Sequence, residues 1–317
     1  MNVLLTFDVE VWCNGWARLD ENFPSAYERY VYGRSTRGDY ALPKTLEILN
    51  TYGLRGVFFV EPLFAARFGA GYLKTIVELI RDAGQDVQLH LHPEWTDEIS
   101  PALIPDSKDK RQHLSYYTLA EQTALIAGGK RMLLQAGARS VTAFRAGNFA
   151  CNRDTFRALQ ANDILIDSSL NAFYDVSGSD LREGAWRSKP TVIEGVHSFP
   201  VTLFADGLGK HRPVQVAGCG FGELRDALNS AAVAGHQEFV IVSHNFELLK
   251  PNSSQPDPIV VKRFENLCQF LDKHRDQLPT AVYSECSVRD HSTVRALPRS
   301  GLGATFARHI EQLYRRF

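Results

Sequence analysis

The stretch DVQLHLHPEW, residues 86 to 95, sets His90 and His92 one residue apart at the end of an apolar run, just before Pro93. Side chains on a strand alternate faces, so the two imidazoles point the same way, with Gln88 behind them. Pro93 has no N–H and stops the pairing there. Two imidazoles on one face can hold a metal ion; the plain alternative is two partly buried histidines bonded to neighbouring carbonyls. Four other apolar runs also end in polar or ionisable groups: Asp8-Val9-Glu10, Arg145 shortly before Gly147, Asp167-Ser168-Ser169, and His244-Asn245. Each alone reads as an ordinary surface residue at a strand end. Converging on one mouth, three histidines, three carboxylates and an arginine describe a metal-assisted hydrolase.

The chemistry follows from the residue types. Asp8 and Glu10 again share a face; one of them completes a His, His, carboxylate metal set that leaves a position open for water. The other is then placed to act as general base, since a metal both activates water and polarises a carbonyl. Arg145 keeps that base ionised. His244 protonates the leaving group, and Asp167 holds its tautomer and raises its pKa. Such an assembly hydrolyses an amide or an ester.

Short runs rich in β-branched and aromatic residues, which carry these groups, alternate with helical segments. Strands are expected near 2–9, 55–61, 86–92, 141–146, 164–169, 196–204, 238–244 and 280–286. Helices of apolar period near 3.6 are expected at 42–52, 72–83, 118–136, 154–162, 223–235 and 259–278. Gly53, Gly84, Gly137 and Gly235 follow helices where a left-handed cap is wanted. This alternation predicts an α/β chain with a parallel sheet, and seven or eight units favour a barrel over an open sheet. In a parallel barrel the catalytic groups collect where the strands end. Long connections follow three strands, at 11–40, 93–117 and 171–195, and loops of that length are usually functional. The first carries two Trp and four Tyr, which suit either a sugar ring or a cap on the barrel. Residues 1–287 are expected to form the barrel and 288–317 a C-terminal helical appendix. Phe306, Ile310, Leu313 and Phe317 share one face of a basic amphipathic helix there; it either packs on the barrel or meets a membrane surface or partner.

Composition narrows the class. A net charge of −1 gives no electrostatic case for nucleic acid or acidic membranes. Five cysteines without CxxC spacing argue against a disulfide framework and fit a reducing, cytoplasmic setting. The start MNVLLTFDVE lacks the basic and apolar regions of a secretory signal. No run approaches ~18 uncharged apolar residues, so no transmembrane segment is expected.

In order along the chain, LTFDVE, HLHPEW, FRAGNF, DSSLN and VIVSHNFE resemble the five motifs of carbohydrate esterase family 4, the NodB-homology polysaccharide deacetylases. RGVFFVE resembles that family's usual second strand. The resemblance covers roughly residues 1–287 and implies a distorted (β/α) barrel of the NodB-homology type. It implies Asp8 as base, and Glu10, His90 and His92 as ligands of a divalent metal, zinc by the chemistry of its donors. It implies Arg145 as the base's partner, backbone amides near Gly147, Asn148 and Phe149 as the oxyanion site, Asp167 as the tuner of the catalytic histidine, and His244 as general acid. The implied reaction is N-deacetylation of an amino sugar, with a nucleotide- or lipid-linked precursor of a surface glycan (lipopolysaccharide or capsule) as the expected substrate. The departures define a divergent branch. The metal histidines are two apart rather than four, Val9 stands where the family has its metal Asp, and Ala-Gly-Asn-Phe replaces Pro-Pro-Tyr after Arg145. Phe173 or Tyr174 stands in for the fourth motif's Trp. Some relatives are metal-independent amidases, so a barrel cleaving a non-sugar C–N bond is the alternative, followed by an inactive glycan-binding barrel. A retaining glycosidase fits less well, because its two carboxylates call for no His-x-His pair.

Overall fold

A computed structural model describes the chain except residues 106–107, 175, 177, 182–183, 185–187, 287–294 and 316–317. The order is β1 (Asn2–Val9), α1 (Leu19–Tyr27), β2 (Arg34–Ser35), β3 (Gly38–Asp39), α2 (Leu42–Thr51), β4 (Gly56–Val60), α3 (Phe64–Phe68) and α4 (Ala70–Asp82). There follow β5 (Asp86–Leu91), α5 (Leu119–Gln135), β6 (Ala143–Ala146), α6 (Arg153–Ala161), β7 (Ile166–Asp167), β8 (Thr191–Ile193) and β9 (Val196–Ser198). The chain ends with β10 (Leu203–Ala205), β11 (His211–Pro213), α7 (Phe221–Val233), β12 (Glu238–His244), α8 (Pro258–Lys273) and α9 (Leu302–Tyr314). This is a mixed α/β fold of the distorted (β/α)-barrel type; within the two units described below the main-sheet strands pair parallel except β8 with β9.

The chain divides into two compact units. One comprises Met1–Gly56, Leu203–Val282 and Val294–Phe317; the other comprises Val57–Thr202 and Tyr283–Thr293. In the first, β1 runs parallel to β12 from Asn2 opposite Glu238 to Asp8 opposite His244. Both strands are almost wholly buried, which is why NVLLTFDV and EFVIVSH read as near-continuous apolar runs rather than alternating ones. In the second unit, β5 pairs parallel with β4 and β6, β6 with β7, and β7 with β9. Local signals start the helices: Thr118 and Glu121 form a capping box on α5, Asn152 and Thr155 one on α6, and Asp257 caps α8. Gly53, Gly84, Gly137 and Gly235 all have positive φ, as a helix-ending residue in the left-handed region does.

Three expected strands differ. The run 196–204 is broken into β9 and β10 at Phe199-Pro200, where proline removes a ladder donor. The run 164–169 shortens to β7 because Ser168 and Ser169 turn to side-chain bonding. The run 280–286 is a bridge from Thr280 to Val3, then a single helical turn at Tyr283–Glu285. The segment 11–40 is ordered: it carries α1, β2 and β3, with Phe23, Tyr27 and Tyr30 buried and Trp12 and Trp16 half-buried.

The C-terminal helix belongs to the first unit, and it is held by its polar side. Arg308, buried, donates to Glu223 on α7 at 2.9 Å and to Asp206 at 3.3 Å. Thr305 donates to the same Glu223 at 3.0 Å, and Arg263 on α8 bonds Glu311 at 2.7 Å. Leu302, Phe306, Ile310 and Leu313 are left exposed, so the apolar stripe is not the packing face. Phe317 lies outside the described residues. No helix of the described residues is long and apolar enough to cross a membrane.

Candidate active site

In the second unit the His-x-His strand meets the Arg145 strand in register, with His90 opposite Arg145. Gln88 locks that pairing from behind by accepting from the amides of Thr142 and Ala143 at 2.9 and 2.8 Å. The Nδ1 of His90 lies 2.7 Å from the Arg145 carbonyl. A carbonyl can only accept, so Nδ1 carries the hydrogen. His92 places Nδ1 3.2 Å from a Glu94 carboxylate oxygen. The rings are 4.8 Å apart and nearly perpendicular, and both residues are buried. Two buried imidazoles on one strand face, each with Nδ1 tied to an acceptor, are what a divalent metal needs of its ligands and their supports. The donor set fits such an ion.

Glu94 also ties His92 to the turn after Arg145, for Asn148 donates to its other oxygen at 3.3 Å. That turn, Gly147–Phe149, holds Asn148 and Phe149 at φ 55°. Gly147 is required there because a Cβ would lie 2.6 Å from Nδ1 of His92. Phe149 stacks on Tyr174 at 5.5 Å, and Phe173 meets Tyr174 edge-on. Phe173 and Tyr174 are both exposed, making an aromatic shelf where the fourth-motif Trp was wanting. Upstream, Glu61 is buried at the end of β4 and accepts from the amides of Leu63 and Phe64. Burial pushes its carboxyl up to about 8, against those bonds and nearby His92.

The DSS motif builds the frame for Arg145. The guanidinium donates to the Ser168 carbonyl and hydroxyl at 3.0 and 2.9 Å and lies over the Phe59 ring. Tyr283 supplies a further donor to Ser168 at 2.8 Å. Asp167 accepts from the Ser169 amide and hydroxyl and from Ser198. Burial raises its pKa to about 6, with those three bonds and Arg145 working in the other direction.

In the first unit, Asp8, Glu10 and His244 bring their ligand-type atoms within 4.8 Å of one another. Asn245 fixes the spacing. Its amide donates to the Asp8 carbonyl at 3.1 Å, and its side chain accepts from the Glu10 amide at 3.1 Å. Trp12 donates to the Glu10 carboxylate at 2.6 Å. The carboxylate bonded to His244 is Glu247, 2.8 Å from Nδ1. This corrects the role expected of Asp167, whose oxygens serve Ser169 and Ser198. Glu247 is itself fixed by Gln215 at 2.6 Å, the Ala217 amide at 2.9 Å and Ser243 at 3.1 Å. Burial would lower the pKa of His244, but the Glu247 bond and the charges of Glu10, Glu247 and Asp8 outweigh it and push it up to about 9. Glu94, Glu247 and Glu61 escaped the sequence reading. A glutamate two or three residues past a strand-end histidine was the available signal for the first two.

No protein-family model matches the chain, and no curated protein matches it by sequence. The fold is that of the polysaccharide deacetylases. A Mycobacterium smegmatis protein described with that proposed role superposes with a TM-score of 0.54 at 15% identity, covering 90% of this chain and 94% of its own. A family 4 carbohydrate esterase from Streptomyces lividans, in complex with acetate, covers 94% of this chain and 98% of its own at 14% identity and a TM-score of 0.42. A pseudoenzyme of the same family from Bacillus anthracis is also similar, at 14% identity and a TM-score of 0.38, over 87% of this chain and 61% of its own. At such identities the chain is a divergent example of this fold.

Proposed function

We propose that the protein is a metal-dependent hydrolase that removes N-acetyl groups from an amino sugar, in a divergent branch of carbohydrate esterase family 4. The observation that carries this reading is the buried pair His90 and His92, side by side on one strand face and each tied through Nδ1 to an acceptor. Glu10, His90 and His92 would hold the ion, zinc by donor type. Bound there, it would polarise the acetamide carbonyl and acidify water.

The chain's own residues supply the rest. Asp8 takes the proton of the attacking water. Backbone amides of the turn Gly147–Phe149 face the developing oxyanion, an interaction worth several kcal/mol in such sites, roughly 2.7–4 per donor. Arg145, framed by Ser168, is assigned as the partner of the base. His244, oriented and kept protonated by Glu247, delivers its proton to the departing amine. Asp167 positions this machinery through Ser169 and Ser198. The aromatic shelf of Phe149, Phe173 and Tyr174 suits a sugar face.

The proposed setting is cytoplasmic synthesis of a surface glycan, which all five cysteines being free accommodates. The test is acetate release from a panel of N-acetylated sugars by the zinc- or cobalt-loaded protein. Release that disappears in His244→Ala supports the assignment. Hydrolysis of small amides or ureides without acetate from any sugar would replace it with the amidase reading. No turnover of either kind would leave a binding protein.

A further inference from the structure

His244 forms part of the wall of a cavity of about 380 Å³ that lies wholly within the first unit. That volume suits a small polar ligand. The charges around it do not balance. Glu247 is bonded to His244, Gln215, Ser243 and the Ala217 amide. Arg315 is bonded to Asp257 at 2.7 Å and to the Ala217 carbonyl. Two further cations line the same cavity, Arg29 and Lys250. Among the described residues neither has a carboxylate partner. Arg29 lies over the Tyr30 ring at 5.0 Å, and its acidic neighbour Glu28 is paired with Arg34 at 2.9 Å. The cavity wall therefore carries two cations without carboxylate partners among the described residues, beside the histidine assigned as proton donor. Asn252, Ser253 and Gln215 add neutral hydrogen-bonding groups to its wall.

Resting on the deacetylase reading, we infer that this cavity receives a phosphate group carried by the substrate, held by Arg29 and Lys250. Guanidinium and ammonium groups together suit a phosphate ester, the first through paired N–H donors and the second as a point charge. A phosphate there anchors the sugar at a distance from the bond being cut, so the binding energy of a non-reacting part positions the acetamide beside His244. The shared chemistry is an amino sugar bearing a phosphate ester, whether linked to a nucleoside or to a lipid.

The test is equilibrium binding by calorimetry to the purified protein, using N-acetylglucosamine, its 1-phosphate, a uridine-diphosphate-linked form and a short-chain lipid-diphosphate-linked form. The phosphorylated sugars should bind at least about tenfold more tightly than the neutral one, the yield of one charge-assisted contact. The double variant R29Q/K250Q should bring that ratio close to one, and Lys262→Gln, an exposed cation on α8, should leave it unchanged. Which linked form binds tighter identifies the carrier. Equal binding of neutral and phosphorylated sugars overturns the inference. So does a preference that survives R29Q/K250Q and vanishes in His92→Ala, which would place the phosphate at the histidine pair. Acetate release is read on the same samples. Phosphate-dependent binding without acetate from any sugar would sink the deacetylase reading while leaving the anion site standing.

Discussion

His90 and His92 in one unit and His244 in the other are all held through Nδ1, yet their surroundings differ in kind. The first two are buried, packed ring against ring, with one Nδ1 on a neutral carbonyl and the other on a carboxylate tied to the next turn. His244 is only half-buried, opens on a cavity, and is surrounded by Glu247, Glu10 and Asp8. A ligand must keep a lone pair free and its orientation fixed, so burial and a single strong acceptor suit it. A proton donor must hold its proton and reach substrate, so excess negative charge and an open side suit it. Similar tethers thus stand in different surroundings, closed around the pair and open beside His244.

Removing His244 probes the open side most severely. His244→Ala should lower kcat by about 10²–10⁴ while bound metal, measured by elemental analysis, stays at the wild-type level. Loss of the metal as well would erase the distinction between the two histidine sites. Glu247→Gln sharpens the same point. His244 is raised above its ordinary pKa, so the proton-bearing form persists up to about 9 and donor activity is lost as pH rises through that value. Without the Glu247 charge the alkaline limb of the pH–rate profile should move to lower pH, with kcat falling roughly 10–100-fold at neutral pH. An unmoved limb would remove Glu247 from the account. On the closed side, Gly147→Ala must displace His92, since the new Cβ would lie 2.6 Å from its Nδ1. A smaller effect is expected, a drop in metal affinity of about tenfold, read by competition with a chelator.

Much of this was legible in the chain, for a physical reason. Parallel strands buried on both faces write themselves as apolar runs, so their ends, and the polar residues there, stand out: Asp8, His90, Arg145, Asp167 and His244 all fall at or beside observed strand ends. The partners of these residues were less visible. Glu94 and Glu247 act from turns, where neither period 2 nor period 3.6 marks direction, and Asp167 was assigned to His244 before its serines could be seen. The C-terminal helix shows the reverse failure. Its apolar stripe was the obvious packing face, but a buried Arg308 between Glu223 and Asp206 holds the polar side instead. Arg308→Met leaves two buried carboxylates without their cation and should destabilise the fold by about 3–5 kcal/mol in urea unfolding. The site assignments predict unchanged metal stoichiometry in that folded variant.

The central claim is that the His90–His92 pair exists to hold a metal. It is tested most directly by elemental analysis of the purified protein, wild type beside His92→Ala. The account predicts about one divalent ion per chain in the wild type, absent from a variant that still folds by circular dichroism. No ion in the wild type, with none taken up on adding zinc or cobalt, would contradict it.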